Sequence, residues 1–412
     1  MTISKAGSSP SPNKRRYFAA SNSGARWLII GNPENRRVEL FQQALHALRV
    51  LPAKYPGLPA AEVLAYRDLL QDSSLLSAAL ARAAGQPTIL RIDSPGENWL
   101  VEKRLIERGI RESAQEAPLL KKVERLRNDP GRIRYPAFWF AGYSAVLREI
   151  AGALVNQPHI RSLSKPAAIQ TLFDKRTCHQ LLQDHGVAVP RALPPVSCYD
   201  ELLAAMQAHD LQRVFVKLAS GSSSSGVVAL STTSGRPLAI TSLELVRRRG
   251  EARFYNNLQL SRYNREADVR VICDYLCEEG AHVEEWLPKA QQSGRGFDLR
   301  VVTIAGRACH VVVRTSRSPI TNLHLGNRRG DWPVLKQAIG KHWRIVPELC
   351  EQAAACFPQM LTIGWDLLVA PGFRRACILE GNAFGDLLPN VLHRGESTYT
   401  ATIRAALSQQ PS

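Results

Sequence analysis

Strand-length apolar runs and helix-period patterns alternate along the first third of the chain. Arg26–Gly31 (RWLIIG) predicts a strand, and Val38, Leu40, Phe41, Ala44, Leu45 and Leu48 follow at helical spacing. A second strand is predicted over 87–92 and a helix from about 97 to 108. Such alternation implies a partly parallel sheet, so residues 25–160 read as a small α/β domain. Further on, Ser164-Lys165-Pro166 opens a helix, and Asp174 caps another that runs from Lys175 to Asp184 and closes at Gly186. Strands are predicted at 214–218 and 227–230 around a Gly/Ser loop, then at 269–272, 282–286, 299–304 and 309–313. Residues 233–270 are polar, Arg-rich and weakly patterned. A helix over about 347–357 precedes two apolar runs, 364–369 and 377–382, which flank a turn-like Pro371-Gly372-Phe373 and predict a β-hairpin. A last helix is predicted over about 398–407.

Composition narrows the class. A chain of 412 residues with 45% hydrophobic and 22% charged residues fits two or three globular domains. No apolar run reaches membrane-spanning length, and the start of the chain has no apolar core of a secretory leader. None of the eight cysteines forms a CxxC, so reduced thiols in a cytosolic protein are expected. Residues 1–24 read as a disordered basic tail. The net charge of +17 raises nucleic acid as a partner, but the basic residues are dispersed and no nucleic-acid-binding signature accompanies them. Solubility, steering of anionic nucleotides and an acidic second substrate are the more economical uses.

The candidate chemistry lies in the second part. If the last hairpin turns about Phe373, Asp366 stands opposite Glu380, and Asn382 shares the face of Glu380. Two carboxylates and an amide oxygen would then converge, an all-oxygen set suited to Mg²⁺ carrying phosphate. Gly221-Ser-Ser-Ser-Ser-Gly226 lacks the Lys-Ser/Thr of a P-loop, since Val227 and Val228 follow it. A flexible Gly/Ser loop beside the strand lysine Lys217 can nevertheless fold over a triphosphate. A connection centred on Arg307 would set Arg300 and Arg314 side by side, two like charges that need an anion between them. Thr321-Asn322-Leu323 lies in a polar loop just downstream, where Asn322 is the site candidate and a surface role suits Arg328 and Arg329.

The order of these features resembles the ATP-grasp superfamily, particularly its ribosomal-protein glutamate ligase and glutathione synthetase-like branch. The resemblance covers residues 160–405 and extends to a bacterial ATP-grasp family of unassigned substrate. It implies an ATP-grasp domain over 161–408, with a lid subdomain at 161–285 and a metal-binding subdomain at 286–408, preceded by a Rossmann-like α/β domain. Both subdomains would be α+β and grip ATP between them. Lys175 and Lys217 would bind the phosphates, with Ser220, Gly221, Ser222, Ser223, Ser224, Ser225 and Gly226 as the lid. Glu284, Glu285, Trp286 and Leu287 would form the adenine-side hinge. Asp366, Glu380 and Asn382 would ligate two Mg²⁺ ions, Mn²⁺ being an alternative, and Arg300 would stabilise the transferred phosphoryl group beside Arg314 and Asn322. The implied activity is an ATP-dependent carboxylate–amine or carboxylate–thiol ligase acting through an acylphosphate. A kinase of a small hydroxyl substrate, and a basic nucleic-acid-binding or scaffold protein retaining the fold, are the alternatives. The acid that should hold the ribose is not evident in the sequence, since Lys289 and Gln291–Gln292 occupy the region after the hinge. The resembling enzymes are commonly homodimers.

Overall fold

The computed structural model describes residues 24–50, 57–113, 116–221, 225–233, 235–384 and 388–408. All but Gly24 of the expected basic tail, and Ser222, Ser223 and Ser224 of the expected lid, lie outside the described residues. No described helix is long and apolar enough to cross a membrane.

The chain divides into two compact units. The first comprises the residues up to Ser94, Ala153–Leu163 and the segment from Tyr399 onward. Its sheet is wholly parallel, built from β1 (Arg26–Gly31), β2 (Ala61–Ala65), β3 (Thr88–Ile92) and β4 (Ile160–Ser162) in the order β2-β1-β3-β4. A parallel strand buried on both faces reads as a continuous apolar run, which is why RWLIIG lacks alternation. Trp27, Leu28, Ile29 and Ile30 are all fully buried. Asn35 caps the helix Arg36–Arg49 by accepting from the Arg37 N–H, and Phe41 of that helix packs on Trp27 at 5.5 Å.

The second unit comprises Pro95–Gly152 and Ser164–Thr398. Its helices Trp99–Arg111 and Pro136–Leu154 touch backbone to backbone. A Cβ on Gly109 would lie 1.8 Å from the Phe138 carbonyl oxygen, and one on Gly142 would lie 1.9 Å from that of Leu105. Glycine is the residue that fits this crossing.

Two antiparallel sheets complete the second unit. One runs β8-β7-β6-β5-β9, from β5 (Arg213–Leu218), β6 (Val227–Ser231), β7 (Leu238–Arg248), β8 (Glu251–Tyr263) and β9 (Ala281–Glu285). Its core joins Val214, Val216, Val228 and Leu230 to the helices Tyr199–Ala208 and Glu266–Glu278. The predicted strand at 269–272 is helical instead. Val269, Ile272, Cys273, Leu276 and Cys277 are buried at helical spacing, so the short apolar run belongs to a longer period. The weakly patterned stretch before it is the long β7–β8 hairpin, turned at Arg249-Gly250 with both residues at positive φ.

The other sheet runs β13-β12-β11-β14-β15 with β10 (Gln291–Gln292) paired to β11. Its strands are β11 (Arg295–Ile304), β12 (Arg307–Ser316), β13 (Arg328–Gly330), β14 (Thr362–Val369) and β15 (Ala376–Asn382).

Candidate functional site

The β14–β15 hairpin sets the frame. Asp366 pairs with Glu380 and Gly364 with Asn382, so the three oxygen-bearing side chains share one face. Between Glu380 and Asn382, Gly381 turns toward the opposite face, where a Cβ would lie 2.7 Å from Leu172 and 2.7 Å from Trp365. Trp365 is itself fully buried against Phe357 and donates its indole N–H to Thr303. The Glu-Gly-Asn spacing thus places two ligand-type side chains on the site and leaves no side chain where the core has no room.

The arginines are arranged differently from the sequence expectation. Arg314 faces Asp298, and Arg300 faces Val312. The connection is a two-residue turn, Ala305-Gly306, with both φ positive, and a bulge follows at Val302/Thr303. Together they slide β12 by two positions relative to a three-residue turn at Arg307. Both guanidinium groups still meet one anion, the carboxylate of Asp366. Arg300 binds both its oxygens, and Arg314 Nη2 lies 3.0 Å from Oδ1.

Arg314 Nε also donates to Asp298 Oδ1 at 2.7 Å. The second oxygen of Asp298 accepts from Thr321 and from Lys289 Nζ, which further donates to Thr321 Oγ1 at 2.7 Å and to the Pro319 carbonyl at 3.1 Å. A buried chain of alternating charge therefore runs Lys289, Asp298, Arg314, Asp366, Arg300. Burial tends to raise the Asp366 carboxyl pKa, but the charges of Arg300 and Arg314 outweigh it and hold that carboxyl below the ordinary range. Burial pushes the Lys289 ammonium down, against the opposing pull of Asp298.

The two lysines expected to bind phosphate come from other elements of the unit. Asp174 caps the helix Lys175–Asp184 by accepting from the Arg176 N–H. Lys175 at its first position donates to the Gly221 carbonyl and lies 3.1 Å from Glu380 Oε1. The backbone N–H of Lys175 donates to Ala219, and the N–H of Leu218 to Gly226, tying the described ends of the Gly/Ser loop to the site. Gly226 has φ +66, the left-handed region glycine tolerates best.

Lys217 on β5 is paired with the carboxylate of Glu284 on β9, and His282 Nε2 lies 3.3 Å from the other Glu284 oxygen. Of the expected hinge, Glu284 turns its side chain into the site. The N–H groups of Glu285 and Trp286 donate to Arg191 and Arg213, and the Trp286 ring packs on Phe215 at 5.5 Å.

Sequence reasoning placed Lys175, Lys217, Arg300, Arg314, Asp366, Glu380 and Asn382 in the site, and the structure brings them together. Asn322 stands in the neighbouring loop, where its carbonyl accepts from Asn327. The Asp298 carboxylate, Lys289, Thr321 and the Glu284 side chain were not assigned roles there. Asp298 and Arg300 are two apart on a strand, so a shared face was available as a signal. Lys289 carried no such signal, because its partners come from β11 and from the loop at 319–321.

The oxygen set suits a hard divalent cation. Asp366 stays ionised under its arginines, and Glu380 and Asn382 lie on its face. Asn382 donates its amide N–H to the Gly364 carbonyl at 3.2 Å, an orientation in which its amide oxygen is the group that would serve as a third protein ligand.

No family model matches the sequence, and no curated protein matches it. Solved structures do. The crystal structure of the D-cycloserine synthetase DcsG matches with a TM-score of 0.52 at 13% identity, covering 93% of this chain and 99% of that one. The ATP-grasp ligase PsnB, complexed with a phosphomimetic variant of its minimal precursor, Mg and ADP, matches with a TM-score of 0.50 at 13% identity, covering 94% and 99%. The chain has the ATP-grasp fold.

Proposed function

We propose that the protein is an ATP- and Mg²⁺-dependent ligase that joins a carboxylate to an amine or a thiol through an acylphosphate. The observation that carries this reading is the pairing of the site's charges. Lys175, Lys217, Lys289, Arg300 and Arg314 face Glu284, Asp298, Asp366 and Glu380 in one buried or half-buried cluster. Phosphate oxygens suit Lys175, Arg300 and Arg314, and that exchange leaves Asp366, Glu380 and the amide oxygen of Asn382 as hard donors for Mg²⁺. When bound, Mg²⁺ supplies Lewis-acid polarisation of the phosphoryl oxygens and neutralises their charge.

The protein's own contribution is positioning and charge. Lys175 and Lys217 hold the nucleotide phosphates, and Ser220, Gly221, Ser225 and Gly226 border them. Glu284 fixes the Lys217 ammonium, and the segment from Glu284 to Leu287 borders the adenine. Arg300 and Arg314 bind the transferred phosphoryl group as negative charge spreads over its oxygens. A substrate carboxylate attacks the γ-phosphorus and ADP leaves. The amine or thiol then attacks the acyl carbon, and inorganic phosphate departs with the electron pair of the broken C–O bond. Exclusion of water protects the acylphosphate between the two steps.

The test is ADP release across a panel of carboxylates, with hydroxylamine to trap any acylphosphate as a hydroxamate. Glu380→Gln should lower Mg²⁺-dependent ADP release by at least about a hundredfold while leaving the thermal transition in place. Near-normal turnover in that variant would sink the metal assignment. ADP formed without hydroxamate or phosphate release, with the phosphate on a hydroxyl, would replace the ligase reading by a kinase.

A further inference from the structure

The cationic row of the site continues past Arg314 to the edge of the sheet. β13 pairs with β12 so that Arg329 lies directly opposite Arg314, and Arg328 lies opposite Thr315. Directly opposed residues of an antiparallel pair project from the same face. Arg329 therefore shares the face of Arg314, Asp298, Arg300, Asp366 and Glu380, whereas Arg328 projects from the other face. The row passes from buried Arg314 to exposed Arg329.

The two arginines differ in their partners. Arg314 is matched by Asp298 and Asp366. Arg329 donates to the carbonyl oxygen of Pro389 at 3.0 Å, and among the described residues no carboxylate stands against it. Like charges directly opposed across a strand pair, with Cβ atoms roughly 5 Å apart, are unfavourable unless an anion joins them. The anion this arrangement accepts would lie on the substrate face, about one strand spacing from the phosphoryl-facing arginine. The loop between β12 and β13 is held against the site by Thr321 on Asp298 and braced internally by Asn327 on the carbonyls of Ile320 and Asn322, and the β12–β13 pairing sets the distance between the two cationic positions.

We infer that Arg329 binds a second acidic group on the carboxylate substrate, so the preferred acid carries two carboxylates separated by a short chain. The inference rests on the ligase reading for the location of the reacting carboxylate, beside the phosphoryl group held by Arg300 and Arg314. The shared chemistry has two sources, a free dicarboxylate and a pair of acidic side chains in a peptide. The overall charge of +17 favours the approach of either.

Binding is measured by calorimetry on the full chain with Mg²⁺ and a non-hydrolysable ATP analogue. The probes are glutarate, its monoacid counterpart butyrate, and the blocked dipeptide acetyl-Glu-Glu-amide. Glutarate or the dipeptide should bind at least about tenfold more tightly than butyrate, and whichever binds more tightly identifies the source. Arg329→Gln should erase that preference by weakening the diacid about tenfold while leaving butyrate unchanged. Arg328→Gln, on the other face, should leave both unchanged. Equal affinity for mono- and diacids, no binding of any probe, or equal effects of the two substitutions overturns the inference. Failure of the ligase reading has a separate signature: Arg329-dependent diacid binding without any hydroxamate on addition of ATP and hydroxylamine.

Discussion

Glu284 keeps its charge in a buried position because Lys217 stands against it. Burial alone raises its carboxyl, but the Lys217 ammonium and the adjacent His282 ring bring it down from 4.5 to about 2. A carboxyl depressed in the folded state contributes stability that is complete above its unfolded value and is lost as pH falls through the folded one. Glu284→Gln leaves Lys217 buried without its counter-charge, so it should destabilise the protein by about 3 kcal/mol at neutral pH. That deficit should shrink between about pH 4.5 and pH 2, as the wild-type carboxylate takes up its proton. Urea unfolding across that range reads it directly, and a deficit independent of pH would separate Glu284 from the Lys217 charge. Residue identities at this scale were partly legible. A charged residue at every second place in Asp298-Leu299-Arg300 signals a polar face, whereas the inward turn of Glu284 depends on Lys217 lying on the neighbouring strand.

Elements carry the site through small residues that keep them close. Gly381 separates Glu380 from Asn382 and leaves space for Trp365 and Leu172. Gly381→Ala should shift β15 and weaken Mg²⁺·ATP binding at least about tenfold, with a modest loss of stability of about 1–3 kcal/mol. Calorimetric titration compared with thermal melting separates the two effects, and unchanged affinity would show that the strand tolerates the methyl group. Gly109→Ala meets backbone rather than a side chain, so the helices Trp99–Arg111 and Pro136–Leu154 must part. A loss of about 3 kcal/mol or more is expected in chemical denaturation. The β14–β15 hairpin was legible because its turn, Gly372-Phe373 at positive φ, follows a Pro-Gly signal. The β11–β12 register was not, since a bulge leaves no mark in composition. The helix Glu266–Glu278 was missed because a window of four residues cannot tell strand from helix.

At the scale of the whole molecule, ligand binding should appear as stability. Mg²⁺·ATP at a hundredfold excess over its Kd should stabilise the fold by about 2.7 kcal/mol, seen as a raised thermal midpoint. Mg²⁺ alone should do little, because Asp366 already holds Arg300 and Arg314, and Glu380 lies beside Lys175. Asp366→Asn should remove the dependence of the shift on Mg²⁺. A full shift with ATP and a chelator would separate nucleotide binding from the metal.

The alternation of α and β elements, the strand lysine just before the Gly/Ser loop and the hairpin that carries Asp366 and Glu380 follow from the sequence, whereas the direct pairing of those two carboxylates is completed by a bulge between Asp366 and Leu367. Each of the first three depends on spacing within one strand, one helix or one hairpin, where chain geometry relates neighbours directly. Only the tertiary structure decided that Asp366 is held by two arginines, that Lys289 joins Asp298 to the loop at Thr321, and that Arg329 shares the face of the site. Those relations link segments far apart in sequence, through a strand register set by a bulge and a turn. The physical reason is that a buried charge is stabilised by whichever opposite charge the packed fold brings beside it, and sequence order does not specify that neighbour.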